Sequence, residues 1–465
     1  MLAVLSVEEM RAVDARALAR VSEETLVERA GTAVATAALR LLGGTYGRRV
    51  VVVAGKGNNG ADGRVAADRL RRRGARVTVV DAADAPEHIG PAGVVDLVVD
   101  AAYGTGFRGT YRAPSVPAGV PVLAVDIPSG VDGDTGEASG EPLRADVTVT
   151  FAAYKAGLLQ GAGPTLAGRV VVADIGLDVS GARAWVVEDA DVAALVPDRP
   201  RDAYKWQSAV AMVAGSPGMT GAAALCARAA YRAGAGMVRL GIPGQVGTDL
   251  PVSEAVGVAL PATGWTDPAL QMTERCRALV VGPGLGRAPS TVADVRSTVE
   301  RVGVPTVVDA DGLYALASGE ELAAVVAGGA AHGGRPPASV IMTPHDGEFA
   351  HLAGRPPAAD RMGEARRLAA SSRAVVLLKG PVTVVAHPDG RLLCATAGSP
   401  RLATAGTGDV LSGVIGAFTA RGLDLWHAGA LGAHVHGRAA ELGPHQGLVA
   451  GDLADLVARW LSCER

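Results

Sequence analysis

Two kinds of hydrophobic pattern alternate along the chain. Short runs of Val, Leu and Ala predict buried strands, and longer stretches with apolar residues three or four positions apart predict helices. In the first half, helices are predicted over residues 8–18, 23–42 and about 64–73. Strands are predicted over residues 49–54, 76–80, 94–100, 122–126, 146–151 and 170–173. A strand, a glycine-bearing turn and a helix in this order indicate a parallel α/β unit.

The same rhythm restarts in the second half of the chain. Strands are predicted over residues 209–214, 237–241, 278–281, 305–309, 339–342, 375–378, 383–386 and 391–395, with a helix over 222–233. Between the halves, the charged segment 196–202 contains proline and lacks an apolar period, which indicates a linker. The pattern therefore predicts two α/β domains, over residues 1–197 and 203–465, each with helices on both faces of a largely parallel sheet.

Composition narrows the class of protein. At 465 residues the chain is too long for one ordinary core, and 49% hydrophobic residues indicate a fully folded protein. A net charge of −3 argues against a nucleic-acid partner, which requires a basic surface. No apolar stretch reaches the length of a membrane span. The four cysteines lie far apart without a CxxC pair, and the first residues are unlike a signal peptide, so we expect a cytoplasmic protein.

The most informative stretch of the second half is the turn Gly406-Thr407-Gly408, which Asp409 and the apolar spacing of a helix follow. A glycine turn that opens a helix presents free N–H groups and a positive dipole end, which suit a phosphate or a developing anion. Asp409 then has two interpretations. It either caps the helix, as Asp often does, or takes a proton from a substrate hydroxyl.

Polar residues also gather where the predicted strands of the first half end. These residues are Asn58, Asn59, Asp62, Asp100, Asp126, Ser129 and Lys155. A doubly wound sheet would bring them to one cleft, because ligands collect at the carboxyl ends of its strands. Any single Asp is explained by a helix cap or a turn. The whole set favours a bound cation or substrate, because so many carboxylates at one sheet edge would otherwise repel each other.

Three features of the second half converge with the glycine turn. Lys379, at a predicted strand end, can offset nucleotide charge, and Thr383 can hydrogen-bond to a nucleotide. His345 and Glu348 share one turn, and the glycine-rich segment 282–286 allows close backbone approach to a flat ligand. Each feature also has an ordinary interpretation: a surface lysine, a turn histidine and a tight loop.

Three motifs of the first half resemble those of the NAD(P)H-hydrate epimerase family. They are Gly57-Asn58-Asn59-Gly60-Ala61-Asp62-Gly63, Gly104-Thr105-Gly106-Phe107-Arg108-Gly109 and Asp126-Ile127-Pro128-Ser129-Gly130. The resemblance covers residues 1–197 and implies a Rossmann-like, three-layer domain. It also implies substrate contacts at Asn58, Asn59, Gly60, Ala61, Asp62, Gly104, Thr105, Gly106, Phe107, Arg108, Gly109, Thr110 and Asp126.

The same resemblance implies a potassium ion between Asn59, Asp100 and Ser129. Asp62, Asp126 and Lys155 are the catalytic candidates of this domain, and the sequence does not decide among them as the base. The chain departs from the family at Ala61, where glycine is usual. The extra methyl group would crowd the loop if this position required a positive φ.

Four motifs of the second half resemble the ADP-dependent NAD(P)H-hydrate dehydratases, which have a ribokinase-like fold. They are Gly282-Pro283-Gly284-Leu285-Gly286, Thr343-Pro344-His345-Asp346-Gly347-Glu348, Lys379-Gly380 and Gly406-Thr407-Gly408-Asp409. The resemblance implies nucleotide contacts at Lys379, Gly380, Pro381, Val382, Thr383 and Gly408. It implies contacts to the hydrated cofactor at Ala222, Gly284, His345 and Asp409.

Together the resemblances imply a bifunctional enzyme that repairs nicotinamide nucleotides. The first domain would interconvert the R and S forms of hydrated NADH and NADPH. The second would dehydrate the S form at the expense of ADP, giving AMP and phosphate, with Asp409 as base and Lys379 and Mg²⁺ balancing charge. We expect these small molecules as partners, together with further copies of the chain in a homo-oligomer, and no nucleic acid or membrane. The alternative is a ribokinase-like small-molecule kinase with a non-catalytic N-terminal binding domain.

Overall fold

The structure is a computed structural model that describes residues 1–90, 94–245, 250–316, 318–333 and 339–463. Its contacts divide the chain into an N-terminal unit, Leu2–Trp185, and a C-terminal unit, Val186–Arg465. The division lies before the linker predicted over residues 196–202. Both units combine helices with a mainly parallel sheet, which confirms the predicted α/β class.

The N-terminal unit has short strands and three helices of more than ten residues. In chain order its elements are β1 (Leu2–Leu5), α1 (Val7–Leu18), α2 (Glu23–Leu42), β2 (Arg49–Ala54), α3 (Asn58–Arg72), β3 (Arg76–Asp81), β4 (Leu97–Ala101), β5 (Tyr111–Arg112), β6 (Val122–Val125), β7 (Gly140–Glu141), β8 (Val147–Phe151), β9 (Tyr154–Lys155), α4 (Gly163–Leu166), β10 (Arg169–Ala173) and β11 (Ala184–Val186). The pattern did not predict the short strands β1, β5, β7, β9 and β11.

Six of these strands form one parallel sheet in the order β10-β8-β6-β4-β2-β3. Neighbouring residues along a strand face opposite sides, so Val52 belongs to one buried cluster and Val53 to the other. Because all six strands run in the same direction, their carboxyl ends share one edge of the sheet, as the sequence analysis expects.

Local signals explain where the first helices begin and end. Ser6 caps α1 with a capping box in which Glu9 N donates to Ser6 Oγ and Ser6 N donates to the Glu9 carboxylate. Ser22 caps α2 by accepting from Thr25 N, and Gly43, at φ +63°, ends that helix in the left-handed region.

The C-terminal unit repeats the alternation of helices and strands. Its elements are α5 (Asp189–Leu195), β12 (Ala209–Val213), α6 (Thr220–Arg232), β13 (Met237–Gly241), β14 (Val256–Val258), α7 (Thr266–Thr273), β15 (Ala278–Val281), α8 (Pro289–Arg301), β16 (Thr306–Val308), α9 (Asp311–Ala315), α10 (Gly319–Gly333), β17 (Val340–Met342), α11 (Asp346–Ala353), α12 (Arg361–Ser372), β18 (Val375–Leu378), β19 (Thr383–Ala386), β20 (Leu392–Ala395), α13 (Thr407–Ala420), α14 (Leu425–Glu441) and α15 (Ala450–Cys463).

The sheet of this unit has the order β14-β13-β12-β15-β16-β17-β18-β19-β20. Its pairs are parallel from β14 to β18, and β18-β19-β20 are antiparallel. The turn between β19 and β20 contains Asp389-Gly390, the hairpin signal of the sequence, with Gly390 at φ +90°.

Helix α13 is buried on almost every side, which its apolar sequence requires. It packs closely on α6 because Gly413 has no side chain: a Cβ there would lie 2.2 Å from the carbonyl oxygen of Cys226. This close packing fixes the start of α13, where the glycine turn and Asp409 lie. Among the described residues, no helix is both long and apolar enough to cross a membrane.

Two candidate active sites

A cavity of about 710 Å³ opens at the carboxyl edge of the N-terminal sheet. Most of the predicted site residues line it: Asn58, Asn59, Asp62, Gly104, Thr105, Gly106, Phe107, Asp126 and Lys155. Gly60, Ala61, Asp100, Arg108, Gly109, Thr110 and Ser129 are not among the described residues that line it. Its volume is in the range of small-molecule sites.

The predicted loop over residues 57–63 is in fact the start of helix α3. Gly57 is the N-cap, and the helix begins at Asn58 instead of about residue 64. Gly60 must be glycine, since a Cβ there would lie 1.9 Å from the carbonyl oxygen of Gly55. Ala61 lies within the helix and is not among the described non-glycine residues with positive φ. Its backbone therefore does not require glycine, and free N–H groups at the start of a helix are suited to an anion.

Lys155 and Asp126 form a buried ion pair at the end of the cavity. The Nζ of Lys155 lies 2.5 Å from Asp126 Oδ1 and also donates to Thr150 Oγ1 and to the carbonyl oxygen of Phe151, both at 3.0 Å. Thr150 Oγ1 in turn donates to Asp126 Oδ1 at 3.1 Å. Asp126 has φ +67°, a conformation that is costly outside glycine and is found at functional sites.

Asp62 and Asp14 add two further carboxyl groups to the cavity. Burial raises the pKa of Asp62 to about 8, Asp126 adds to the rise and Lys155 opposes it. Burial also raises the pKa of Asp14. The charge of Lys155 lowers this pKa, and the charge of Asp126 raises it further. The sequence analysis missed Asp14, because its position in an amphipathic helix is that of an ordinary polar residue.

Asp100 and Ser129 lie together beneath this edge of the sheet, both fully buried. Ser129 N and Oγ donate to the two oxygens of Asp100 at 2.9 and 2.6 Å, and Tyr103 N donates to Ser129 Oγ at 2.8 Å. Burial raises the pKa of Asp100 despite these hydrogen bonds. Asn59 lies against Gly104, and its Nδ2 is buried without a hydrogen-bond partner in the described residues.

In the C-terminal unit, Asp309 joins three elements beside the glycine turn. It follows strand β16 and accepts hydrogen bonds from Lys379 Nζ, Thr343 Oγ1 and Ser412 Oγ, each at 2.7 Å. Burial alone would raise the pKa of Asp309, but the charge and hydrogen bond of Lys379 outweigh it and hold the pKa below its usual value. The sequence analysis missed Asp309, although the rule that singled out Asp100 and Asp126, an Asp at a strand end, applies to it as well.

Lys379 follows β18, and its ammonium group lies beside the glycine turn. A Cβ on Gly408 would lie 3.3 Å from Lys379 Nζ. Burial by itself lowers the pKa of Lys379, but Asp309 and Glu348 outweigh it and raise the pKa. The lysine is therefore a fixed positive charge next to the N-terminus of α13.

Asp409 lies in the first turn of α13, and the structure decides against its capping role. The N-cap is Gly406, at φ +88°, and no side chain caps the helix. Burial raises the pKa of Asp409 to about 7, Asp309 adds to the rise and Lys379 opposes it. A carboxyl group with this pKa is suited to general base catalysis near neutral pH.

The other predicted residues of this unit fall into two groups. Ala222 and Gly284 are neighbours, since a Cβ on Gly284, at φ +65°, would lie 2.9 Å from Ala222 Cβ. His345 instead caps α11: its Nδ1 accepts from Gly347 N at 3.0 Å and from Glu348 N at 3.3 Å. Its ring is exposed, and Nε2 lies 3.5 Å from Glu348 Oε1.

The predicted nucleotide loop is the connection between β18 and β19. It runs from Lys379 through Gly380, Pro381 and Val382 to Thr383. Arg361 fixes its start, because Nη2 of Arg361 donates to the carbonyl oxygen of Lys379 at 2.7 Å. No group of three or more His, Cys, Asp or Glu that could hold a metal ion occurs within the described ranges.

Each unit thus brings buried carboxyl groups and a lysine to the carboxyl edge of a parallel sheet. This arrangement is typical of an α/β enzyme, and it gives one candidate site in each unit.

Comparisons with known proteins identify the family. The model described as NAD(P)H-hydrate dehydratase matches residues 210–462, and the model of the YjeF-related protein N-terminus matches residues 23–93 and 81–157. The bifunctional NAD(P)H-hydrate repair enzyme Nnr of Moorella thermoacetica is 37% identical, over 93% of this chain and 91% of the relative. That of Mycobacterium tuberculosis is 39% identical, over 91% of this chain and 90% of the relative.

The chain therefore belongs to the family of bifunctional NAD(P)H-hydrate repair enzymes. The family confirms the recognition made from the sequence motifs, and it favours the repair enzyme over the small-molecule kinase.

Two solved structures are similar to the C-terminal part. A ribokinase-like superfamily protein from Enterococcus faecalis is 20% identical and covers 60% of this chain and 96% of its own, with a TM-score of 0.50, which supports the predicted ribokinase-like fold. An ADP/ATP-dependent NAD(P)H-hydrate dehydratase from Bacillus subtilis, co-crystallised with ATP and Mg²⁺, is 26% identical and covers 60% of this chain and 98% of its own, with a TM-score of 0.48.

Proposed function

We propose that the chain carries out two successive repair reactions. The domain over residues 1–197 interconverts the R and S forms of hydrated NADH and NADPH. The domain over residues 203–465 dehydrates the S form at the expense of ADP and releases AMP and phosphate. The observation that carries the second assignment is Asp409, a half-buried carboxyl group near Lys379 that does not cap α13 and has a pKa raised to about 7.

Dehydration needs help because hydroxide is a poor leaving group. Asp409 takes the proton of the substrate hydroxyl while that oxygen attacks the terminal phosphoryl group of ADP, so an O–P bond forms and AMP leaves. The phosphate then leaves with its C–O bond electrons, and loss of a proton from the adjacent carbon restores the ring double bond. The N–H groups at the start of α13 and the ammonium group of Lys379 stabilise the charge on the transferring phosphoryl.

The nucleotide contacts are proposed at Lys379, Gly380, Pro381, Val382, Thr383 and Gly408. The closeness of Gly408 to the Lys379 ammonium group supports a shared phosphate position. The hydrate contacts are proposed at Ala222, Gly284, His345 and Asp409. The exposed ring of His345 supports this contact, with Nδ1 occupied by the cap of α11 and Nε2 facing Glu348 Oε1 at 3.5 Å.

Magnesium fits the carboxylates of the C-terminal site. Glu348 lies close enough to Lys379 to raise its pKa, and a carboxylate oxygen is a donor that Mg²⁺ accepts alongside nucleotide phosphates. When bound, Mg²⁺ neutralises phosphate charge as the phosphoryl group is transferred.

In the N-terminal domain, the substrate contacts are proposed at Asn58 to Asp62, Gly104 to Thr110 and Asp126. Many of these residues line one cavity, which supports a common ligand. The start of α3 offers free N–H groups to the phosphates of the hydrated dinucleotide.

Potassium fits the oxygens of Asn59, Asp100 and Ser129. Burial raises the pKa of Asp100 in the absence of a cation, and a bound cation would keep the carboxylate ionised. Carboxylate, hydroxyl and amide oxygens are ligands of hard cations. Replacing K⁺ by tetramethylammonium in the buffer should lower the epimerisation rate, and an unchanged rate would exclude this ion.

The dehydratase assignment is tested with Asp409→Asn in the full chain. Starting from the S hydrate with ADP and Mg²⁺, we expect kcat to fall at least about 100-fold, because the variant lacks the base. The assay follows AMP by chromatography and the restored reduced cofactor by absorbance. Asp267→Asn, at an exposed aspartate of the same unit, is the control and should keep the wild-type rate.

Near-wild-type dehydration by Asp409→Asn would show that another group is the base. A stable phosphorylated product in place of AMP and reduced cofactor would instead favour a kinase. The homo-oligomer, the cytoplasmic location and the absence of nucleic-acid or membrane partners stay predictions.

A further inference from the structure

The N-terminal cavity holds carboxyl groups in two different electrostatic settings. Asp126 shares an ion pair with Lys155, whereas Asp62 has no ion pair within the part of the chain that the structure describes. All three residues line the same cavity, so a ligand within it can meet both carboxyl groups. A pair of carboxyl groups whose surroundings differ in this way is the arrangement by which enzymes separate an acid from a base.

Lys155 cannot form an ion pair with both Asp126 and Asp62. An ammonium group has three protons, and those of Lys155 are directed to Asp126 Oδ1, Thr150 Oγ1 and the carbonyl oxygen of Phe151. Lys155 is itself buried, which fixes this geometry. Asp126 is therefore the charged member of the pair, and its backbone at φ +67° is held in place by the surrounding contacts.

Asp62 is buried, at 7% exposed, and no ion pair or hydrogen bond among the described residues stabilises the ionised form of its carboxyl group. A buried carboxyl group beside an ionised one is most stable with a proton. The raised pKa of Asp62 agrees with this geometry.

Other titratable groups face the same space from several elements. Asp14 is on α1, Glu23 on α2, Lys56 precedes α3 and Asp81 ends β3. Asp81 Oδ1 accepts from Ala83 N at 3.0 Å, so this carboxyl group is part of the turn after β3.

We propose that Asp62 and Asp126 share one proton and act as the acid and the base of epimerisation. This inference rests on the proposed epimerase function. In one direction, Asp62 gives its proton to the departing hydroxyl, the C–O bond breaks and water leaves, while the ring nitrogen lone pair forms a C=N⁺ bond. Water then adds to the other face, its oxygen forms the new C–O bond and its proton goes to Asp126. The opposite direction starts with the proton on Asp126.

The test uses the full chain without ADP or ATP, so that dehydration cannot remove either epimer. A single epimer is added, and the R and S forms are separated by chromatography between about pH 6 and 9. The rate without enzyme is subtracted. We expect wild-type kcat/KM to fall about tenfold per pH unit above about pH 8, where the pair loses its shared proton.

Asp62→Asn should lower kcat/KM at least about 100-fold and abolish this pH dependence. Asn has nearly the same shape and replaces a neutral acid, so folding is expected, and thermal unfolding checks it. Asp68→Asn, at an exposed aspartate of α3 that is not among the described residues lining the cavity, should keep both the rate and the pH dependence. Two results would contradict the acid–base roles of Asp62 and Asp126. One is a wild-type kcat/KM that rises through pH 8, and the other is an Asp62→Asn variant with the wild-type kcat/KM and pH dependence. If the wild-type chain does not interconvert the epimers, the proposed epimerase function fails instead.

Discussion

Asp62 and Asp409 are single residues whose surroundings change their chemistry. Burial is the main cause of the raised pKa in both, with a neighbouring aspartate adding to it and a lysine opposing it. The sequence indicated both as candidates because each follows a glycine or asparagine turn. The sequence indicated Asp309 and Asp14 less clearly, because their roles depend on partners that are distant in the chain. For Asp309 this partner is Lys379.

The raised pKa of Asp62 makes the stability of the N-terminal unit depend on pH. Between pH 3.8, the pKa of a free aspartate, and about pH 8, the native state keeps a proton on Asp62 that the unfolded state releases. The free energy of unfolding therefore falls as pH rises through this range. Asp62→Asn removes that dependence. We expect the variant to unfold at a higher temperature than the wild type, by a few degrees near pH 8, with no difference below about pH 4. Calorimetry at several pH values measures the difference in unfolding temperature between Asp62→Asn and the wild type. A variant that unfolds at a lower temperature than the wild type at pH 8 would contradict the prediction.

At the scale of elements, strands were more predictable than helix starts. The strands Arg49–Ala54, Met237–Gly241, Ala278–Val281 and Val375–Leu378 have the predicted bounds, because valine-rich runs fit a buried parallel sheet. The predicted start of α3 was wrong, because Asn and Gly are typical of turns. In the structure the close packing of Gly60 on Gly55 allows the helix to begin at Asn58. The short strands β1 and β9 were missed since their pairing, Val4 with Tyr154, is long-range.

The contrast between Gly60 and Ala61 gives a matched pair of variants. Gly60→Ala places a Cβ 1.9 Å from a backbone oxygen, so β2 and α3 must separate. We expect loss of epimerisation and a destabilisation of at least about 2 kcal/mol. Ala61→Gly restores the residue usual in the family and should keep epimerisation, at a cost of at most about 1 kcal/mol of helix stability.

Both variants are assayed by the temperature at which epimerisation activity is lost on heating. A clear gain of activity in Ala61→Gly would show that the methyl group hinders the site, contrary to the helical geometry of this position.

For the whole molecule, the two proposed reactions have opposite requirements for protons. Epimerisation needs the shared proton, which is lost above about pH 8, and dehydration needs Asp409 ionised, which occurs above about pH 7. The two-domain organisation followed from chain length and the restart of the strand pattern. The raised pKa values that set these two pH limits come only from the folded sheets, which bring carboxyl groups and lysines together.

We therefore expect the complete conversion of R hydrate to reduced cofactor to be fastest between about pH 7 and 8. Conversion that starts from the S hydrate should rise through pH 7 and show no decline at pH 8. The two substrates are compared in the same buffers, with ADP and Mg²⁺ saturating. If the rates from both substrates depended on pH in the same way, with the S hydrate reaction also declining above pH 8, the two domains would not have separate pH limits.

The buried carboxylate of Asp309 also has a thermodynamic consequence for nucleotide binding. It holds the lysine of β18 together with the hydroxyl groups of Thr343 and Ser412 before any ligand arrives. Immobilising a long flexible side chain on association costs about 0.5–1.5 kcal/mol in entropy. Here folding has already restricted those rotamers. If a nucleotide binds at Lys379 as proposed, most of that entropic penalty has therefore been met before binding.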